Sequence, residues 1–298
     1  MMEVSITGAS GFVGRNLINS LKDDNEINLM KVRYYPNQTF HFKGDSVIHL
    51  AGKAHDLKKV SQPIDYYEAN FELTKQLFDS FLTSKCSTFI FMSTVKAVAD
   101  EVKGVLTEEF IPNPKTHYGI AKHQAEEYIL SHNIPIGKRV YILRPCMIHG
   151  PENKGNLNLL YHLVIKGFPW PLGAFENQRS FLSVENLCFV IQELLENENI
   201  PSGIYHLADD GSLSTNELIG LLALSLEKKS NIWKVPISWI KVFSKVGDFL
   251  HLPLNSERLE KLTENYVVSN QKIVKALGKS FPISVENGLL KTFKTFRN

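Results

Sequence analysis

The chain of 298 residues carries 33 lysines and arginines against 31 aspartates and glutamates, a formal net charge of +2. This balance argues against a dedicated nucleic-acid-binding protein, which needs clustered positive charge, and the hydrophobic fraction of 43% argues against disorder. Three widely spaced cysteines, Cys86, Cys146 and Cys188, suggest a reducing compartment, so we expect a cytoplasmic protein. Membrane insertion is not expected, because no apolar run approaches the ~18 residues that a spanning helix needs.

Short apolar runs alternate with helical stretches through the first half of the chain. The predicted strands cover residues 3–7, 27–32, 46–50, 88–92 and 140–143, and the predicted helices cover 12–22, 64–84 and 118–131. Continuous apolar strands that alternate with helices are typical of a parallel sheet covered on both faces. We therefore predict an α/β fold, a Rossmann-type doubly wound parallel sheet with a smaller C-terminal substrate domain.

The composition changes after residue 150, where Gly, Pro and Asn become frequent. We expect a dinucleotide-binding domain over residues 1–152 and a substrate-binding domain over 153–298, with 180–212 returning to the first domain. A late helix places six apolar residues on one face: Trp239, Val242, Phe243, Val246, Phe249 and Leu250. This pattern favours a helix that packs between domains, and the flanking Lys241 and Lys245 keep a membrane-surface helix as the alternative.

A glycine-rich segment, TGASGFVG at residues 7–14, lies between the first strand and the first helix. Gly8 allows a tight turn, Gly11 lets the backbone approach a pyrophosphate, and Gly14 lets the helix pack closely on the strand. The helix N-terminus also presents free N–H groups and the positive end of its dipole to an anion. The segment therefore predicts a dinucleotide-binding site.

The G-x-x-G-x-x-G spacing of this segment resembles the fingerprint of the extended short-chain dehydrogenases/reductases of the NAD-dependent epimerase/dehydratase type. That family includes UDP-glucose 4-epimerase, nucleotide-sugar dehydratases and sugar 4-ketoreductases. The resemblance covers nearly the whole chain, because HLAG at 49–52, EANFELTK around residue 70 and NYVVSNQKIVKALG at 265–278 resemble further family segments. It implies that these residues bind the cofactor: Gly8, Ser10, Gly11, Phe12, Val13, Gly14, Leu50, Ala51, Gly52 and Asn70.

The choice between NAD and NADP depends on the end of the second strand. An acidic residue about 20 positions past the fingerprint normally binds the adenosine ribose hydroxyls. This sequence has Lys31-Val32-Arg33-Tyr34-Tyr35 there, without a carboxylate. Because Lys31 or Arg33 could pair with a 2′-phosphate, we expect Arg33 to contact the cofactor and NADP to be slightly preferred over NAD.

Tyr118 and Lys122 have the spacing Y-x-x-x-K, which puts both side chains on one helix face. A neighbouring ammonium, together with the positive charge of an oxidised nicotinamide, is expected to lower the pKa of a phenol from ~10 and to favour proton exchange with a substrate hydroxyl. The resemblance implies that Thr94, after the strand TFIFM, binds the reacting oxygen and that Lys122 binds the nicotinamide ribose. The predicted catalytic residues are therefore Thr94, Tyr118 and Lys122, and the latter two also contact the cofactor.

Other segments narrow the reaction and the substrate. Dehydratases of the family carry an Asp-Glu pair after the position of Thr94, whereas this chain has Val95-Lys96, so we set dehydration aside. LRP at 143–145 and HGP at 149–151 resemble the family's crossing from the cofactor half to the substrate half, and KGN at 154–156 resembles the branch tied to bacterial surface polysaccharides. Relatives use an arginine at the position of Arg179 to bind the nucleotide diphosphate; a salt link between the domains is the alternative role for Arg179. The predicted substrate-binding residues are Thr94, Lys154, Asn156 and Arg179.

The preferred function is reduction of the C4 keto group of a nucleotide-activated sugar, a UDP-4-keto-6-deoxy-hexosamine, for bacterial surface polysaccharide synthesis. The alternative is a nucleotide-sugar 4-epimerase, similar to UDP-glucose or UDP-N-acetylglucosamine 4-epimerase, with tightly bound NAD. A non-catalytic dinucleotide sensor is disfavoured because both Tyr118 and Lys122 are present. No metal site is predicted. The resemblance allows a homodimer through the helices at 64–84 and 118–131.

Overall fold

A computed structural model of the chain describes residues 2–54, 62–153, 156–250 and 255–296. Its strands are β1 (Met2–Thr7), β2 (Asn25–Met30), β3 (Ser46–His49), β4 (Thr88–Met92), β5 (Val105–Leu106), β6 (Arg139–Pro145), β7 (Met147–His149), β8 (Phe181–Ser183), β9 (Gly203–Leu207) and β10 (Val267–Val268). Its helices are α1 (Phe12–Leu21), α2 (Pro63–Tyr67), α3 (Leu73–Thr83), α4 (His117–Leu130), α5 (Asn156–Ile165), α6 (Val184–Glu196), α7 (Thr215–Ser225), α8 (Ile237–Leu250), α9 (Ser256–Thr263), α10 (Gln271–Leu277) and α11 (Val285–Thr295).

Six parallel strands form the central sheet in the order β2-β1-β3-β4-β6-β9. Every residue of β3 and β4 is buried, which explains their continuous apolar sequences. The chain runs outward from β1 to β2 and then returns to the other side of β1 with β3. Open α/β sheets bind ligands at such a reversal, beyond the carboxyl ends of the strands. The predicted α/β doubly wound fold is confirmed.

Each face of the sheet carries its own layer of helices. Ile90 of β4 belongs to the core that contains Leu17 of α1 and Leu187 of α6. The neighbouring Phe89 points into a separate core with Phe81 of α3 and with residues of α4. Successive residues of a strand face opposite sides of a sheet, so β4 contributes to both layers.

A further hydrophobic core lies in the C-terminal half and joins α5, α7, α9 and α11. The chain nevertheless crosses between the halves repeatedly. β9 is the last strand of the central sheet, and α6 packs in the same core as α1. Ile273 and Leu277 of α10 also belong to that core. We therefore propose that residues 180–212, and α10 with them, are part of the cofactor half.

Two helices differ from their predictions. The helix predicted over 64–84 is interrupted by a π-helical turn, Glu68–Glu72, between α2 and α3. Only Ile240, Ser244 and Gly247 of α8 are buried, while its large apolar side chains face outward. The prediction that this apolar face packs between domains is wrong, because α8 uses a narrow neighbouring face for its contacts.

Candidate active site

The glycine-rich loop after β1 lies directly against the end of β3. Gly8 has a positive φ of 72°, and a Cβ atom there would lie 2.6 Å from the backbone nitrogen of Ala51. A Cβ atom on Gly14 would lie 2.4 Å from the carbonyl oxygen of Gly8. Both positions exclude any side chain, so the loop and α1 approach each other as a phosphate-binding turn requires.

The N-terminus of α1 fits the anion of a dinucleotide. Gly11 precedes the helix without a side-chain cap, and the first turn contains no acidic residue. The N–H groups of that turn are therefore available to a pyrophosphate. Ser10 and Gly11 are exposed at this edge, while Phe12 and Val13 are half-buried beside them.

The π-helical turn places Asn70 beneath the segment that follows β3. Asn70 is fully buried, and its amide donates to the carbonyl of Lys53 at 3.0 Å and accepts from the Lys53 N–H at 3.0 Å. A Cβ atom on Gly52 would lie 2.6 Å from Asn70 Oδ1 and 3.3 Å from Lys122 Nζ. Asn70 therefore fixes the loop that brings Gly52 next to Lys122. Widened helical turns of this kind are frequent at functional sites.

Lys122 is buried with 4% of its surface exposed, and its ammonium faces the carboxyl end of β4. Nζ donates to the carbonyl of Met92 at 2.8 Å and lies 4.5 Å from the centre of the Phe91 ring. Burial lowers the pKa of Lys122 to about 7, although Glu126 opposes the shift. An amine in this setting exchanges its proton near neutral pH.

The Thr94 and Tyr118 side chains lie close together, and Thr94 counteracts part of the pKa shift of the phenol. Thr94 also caps the short 3-10 turn Val95–Ala97 by accepting from the Lys96 N–H at 3.2 Å, which holds its hydroxyl at the end of β4. Thr116 caps α4 by accepting from the Gly119 N–H, so Tyr118 lies in the first turn of that helix. The three predicted catalytic residues therefore meet at the carboxyl edge of the sheet.

The lowering of the Tyr118 pKa that was expected from the Lys122 ammonium is not found. Burial raises the pKa of Tyr118 to about 12; the nearby Thr94 side chain opposes this rise, and the Glu126 carboxylate adds to it. Lys122 directs its hydrogen bond to Met92, so it does not produce the expected stabilisation of a phenolate. Tyr118 is consequently a protonated phenol at neutral pH.

A buried ion pair behind the site was missed by the sequence analysis. Glu126 accepts hydrogen bonds from Arg144, at 3.0 Å from Nε and 2.6 Å from Nη2. It also accepts a hydrogen bond from the hydroxyl of Ser93. Burial opposes ionisation of Glu126, but the nearby His123 imidazole and the hydrogen bonds from Arg144 and Ser93 hold its pKa below the usual range. The pair ties β4, α4 and β6 together. Its one signal in the sequence is the four-residue spacing of Glu126 from Lys122.

Two predicted phosphate-binding arginines lie in different settings. Arg33 is exposed just beyond β2, and it forms no ion pair with the described part of the chain. Arg179 is already engaged, because its guanidinium donates to the Lys261 carbonyl at 2.7 Å and to Glu264 Oε1 at 3.2 Å. Lys154 and the side chain of Asn156 lie outside the described residues.

Lys96 is a second basic residue of the substrate side. Its Nζ donates to the Asp100 carbonyl at 2.7 Å and lies 4.2 Å from the centre of the Tyr266 ring. Burial lowers the pKa of Lys96, while Glu264 and Asp100 oppose the shift. The resemblance aligns Lys96 with a carboxylate of the family's dehydratases, so this position holds a cation instead.

The chain matches a family model described as the NAD dependent epimerase/dehydratase family over residues 4–208. The chain belongs to this family. A UDP-glucose 4-epimerase of Vibrio cholerae is 27% identical over 317 residues, which cover 98% of this chain and 95% of that protein. An N-acetyl-alpha-D-glucosaminyl-diphospho-ditrans,octacis-undecaprenol 4-epimerase of Escherichia coli O157:H7 is 31% identical over 76% of this chain and 73% of its own length.

Solved structures agree with the fold. The crystal structure of UDP-N-acetylglucosamine 4-epimerase from Bacillus cereus superimposes with a TM-score of 0.76 at 19% identity and covers all of both chains. Other relatives are nucleotide-sugar epimerases, dehydratases and reductases, and this chain is an enzyme of their family with a nicotinamide cofactor. No helix in the described ranges is long and apolar enough to cross a membrane.

Proposed function

We propose that this enzyme reduces the C4 keto group of a UDP-4-keto-6-deoxy-hexosamine. The observation that carries the proposal is the meeting of Thr94, Tyr118 and Lys122 beside the glycine-rich loop at the carboxyl edge of the sheet. A general acid, a hydrogen-bonding hydroxyl and a ribose-binding amine next to a dinucleotide site are the parts that ketone reduction needs.

Tyr118 is placed to supply the proton that reduction needs. When a ketone is reduced, the carbonyl oxygen must receive a proton while the carbon receives a hydride, which a bound nicotinamide cofactor supplies. A phenol with a pKa raised to about 12 carries that proton at neutral pH. Thr94 can hold the same oxygen by a hydrogen bond, and the amine of Lys122 can hold the cofactor ribose. Oxidation of a sugar hydroxyl, the first step of epimerisation, would instead need Tyr118 to accept a proton.

The end of β2 favours NADP as the cofactor. Arg33 is exposed there and has no ion-pair partner in the described chain. The segment 31–35 contains no carboxylate that could bind the adenosine ribose hydroxyls. A guanidinium can form two parallel hydrogen bonds with a phosphate, so Arg33 suits a 2′-phosphate. The glycine-rich loop and the residues 50–52 would hold the rest of the dinucleotide.

Arg179 and Lys96 are proposed to bind the substrate diphosphate. Arg179 is held by Glu264 and by a carbonyl of α9, which orients its guanidinium but uses two of its donors. A guanidinium has five N–H donors, so three remain for phosphate oxygens. Lys96 lies on the same side, beside Glu264 and Tyr266.

The proposal is tested by supplying the ketone directly. A UDP-4-keto-6-deoxy-hexosamine, generated from UDP-N-acetylglucosamine by a 4,6-dehydratase, is mixed with the purified protein and NADPH or NADH. We expect NADPH to be consumed in equal amount to the sugar product. The proposal fails if no NADPH is consumed and the protein instead interconverts UDP-glucose or UDP-N-acetylglucosamine with their C4 epimers without added cofactor, since that is epimerase activity.

A further inference from the structure

The outer face of α8 is an exposed apolar surface formed by six residues: Trp239, Val242, Phe243, Val246, Phe249 and Leu250. Their spacing along the sequence puts them on one face of the helix, and each of them is at least 44% exposed. Phe249 is 83% exposed, Trp239 63% and Phe243 58%. Single exposed apolar residues are ordinary, but a continuous stripe of this size on one helix marks a binding surface.

The anchoring of α8 keeps this face outward. Ile240 packs in the core of the C-terminal half, and Ser244 and Gly247 are the other buried residues of the helix. Asp248 accepts hydrogen bonds from the N–H and the hydroxyl of Ser256, which ties the end of α8 to the start of α9. The helix is therefore fixed to the protein along a narrow face formed by these three buried residues. Its large apolar side chains face outward, where they can contact a partner.

The charges around the face distinguish between partners. Lys241 and Lys245 are exposed on α8 next to the apolar stripe, and the helix has one acidic residue, Asp248, which is engaged with Ser256. Hydrogen bonds from Ser256 lower the pKa of Asp248, so it stays ionised. A tryptophan and two phenylalanines beside lysines whose long stems can extend along an apolar surface are the composition of a helix that lies in a membrane interface.

We propose that α8 docks the enzyme on the surface of a bilayer that contains anionic lipids. The apolar stripe would enter the boundary between headgroups and acyl chains, and Lys241 and Lys245 would contact lipid phosphates. The helix lies in the plane of the surface and does not span it. Because α8 belongs to the C-terminal half, docking turns that half, which carries Arg179, toward the bilayer. This proposal does not rest on the reaction proposed above.

The test is flotation of the full-length protein with vesicles of phosphatidylcholine alone or with about one-third phosphatidylglycerol, at low and high salt. Wild type is expected to bind the anionic vesicles at least tenfold more than the neutral ones and to be partly released by salt. A triple variant, Trp239→Ser, Phe243→Ser and Phe249→Ser, should lose this binding. The matched control replaces two exposed isoleucines elsewhere, Ile111→Ser and Ile136→Ser, and should bind as wild type does.

Two further measurements test the role of the lysines and the possibility of a dimer. Lys241→Gln with Lys245→Gln should reduce the preference for anionic vesicles at least fivefold, while far-ultraviolet circular dichroism shows that the fold is kept. Wild type that floats with neither kind of vesicle overturns the proposal. Sedimentation that shows a dimer dissociated by the triple variant and not by the isoleucine control also overturns it, because the face would then be covered by a second copy of the chain.

Discussion

Among single residues, Tyr118 is the one whose proton the proposed ketone reduction requires. General acid catalysis contributes about 10²- to 10⁴-fold to a rate, so Tyr118→Phe should reduce kcat by that order. Cofactor affinity should change little, because the variant keeps the ring and Lys122. The matched control is Tyr128→Phe on the same helix, whose hydroxyl donates to Asp79 away from the site. A Tyr118→Phe enzyme that retains most of its kcat would show that another group delivers the proton.

Arg33 should decide which dinucleotide is preferred. Loss of hydrogen bonds to a charged phosphate costs about 1.5–3 kcal/mol, so Arg33→Ala should weaken NADPH binding by roughly tenfold to a hundredfold. NADH lacks the 2′-phosphate, and its affinity should be nearly unchanged. Titration calorimetry with both cofactors measures the two effects. An equal loss for both would count against the 2′-phosphate contact.

Burial of Lys122 should make stability depend on pH. The pKa of Lys122 is lowered to about 7, whereas a lysine of the unfolded chain titrates near ~10.4. Between these values the unfolded chain binds a proton that the folded protein lacks, so the free energy of unfolding rises with pH over this interval. Urea unfolding of the cofactor-free protein should show this rise between about pH 7 and 9.5 relative to Lys122→Met. Parallel curves for the two proteins would mean that Lys122 is not desolvated.

Among the elements, α1 packs so closely on the glycine-rich loop that Gly14 has no room for a side chain. Gly14→Ala would bring a Cβ atom within 2.4 Å of the Gly8 carbonyl oxygen, so the loop must move. We expect at least tenfold weaker cofactor binding and a lower Tm. The control is Gly220→Ala in α7, where nothing lies within 4 Å, and helix propensity should raise stability by about 0.5–1 kcal/mol. Unchanged cofactor affinity in Gly14→Ala would contradict the proposed cradle.

Some features of these elements could be predicted from the sequence, and others could not. The spacing of the glycines is local information, and the structure packs Gly8 against Ala51 and Gly14 against Gly8 as that spacing predicts. The pKa of Tyr118 could not be predicted, because it depends on what covers the phenol. The pairing of Glu126 with Arg144 joins α4 to β6 and leaves no local pattern of its own. The outer face of α8 was misjudged because periodicity shows that a helix has an apolar face, but not which surface covers it.

At the scale of the whole molecule, the two halves are linked by buried polar contacts as well as by the crossing chain. His149 of β7 forms a hydrogen bond of 2.9 Å with Thr292 of α11 and lies 3.6 Å from Asp209. Asp209 in turn accepts from the Ser183 N–H and from the Asn186 amide of α6. These groups are all buried, so separating the halves would leave polar groups without partners.

The interleaved halves should therefore unfold in a single transition. All three tryptophans, Trp170, Trp233 and Trp239, lie in the C-terminal half, whereas far-ultraviolet circular dichroism reports on the helices of both halves. Thermal or urea unfolding followed by the two signals should give coincident midpoints. Two separate midpoints would show that the halves are independent folding units.

In the proposed reaction, hydride moves from a nicotinamide cofactor to C4 of a nucleotide sugar, and Tyr118 delivers the proton. The most direct measurement uses NADPH deuterated at either face of the nicotinamide C4, together with the UDP-4-keto sugar. Proton NMR of the product should show deuterium at the sugar C4 from one of the two labelled cofactors and none from the other. Product that forms without deuterium at C4 from either cofactor would contradict the account.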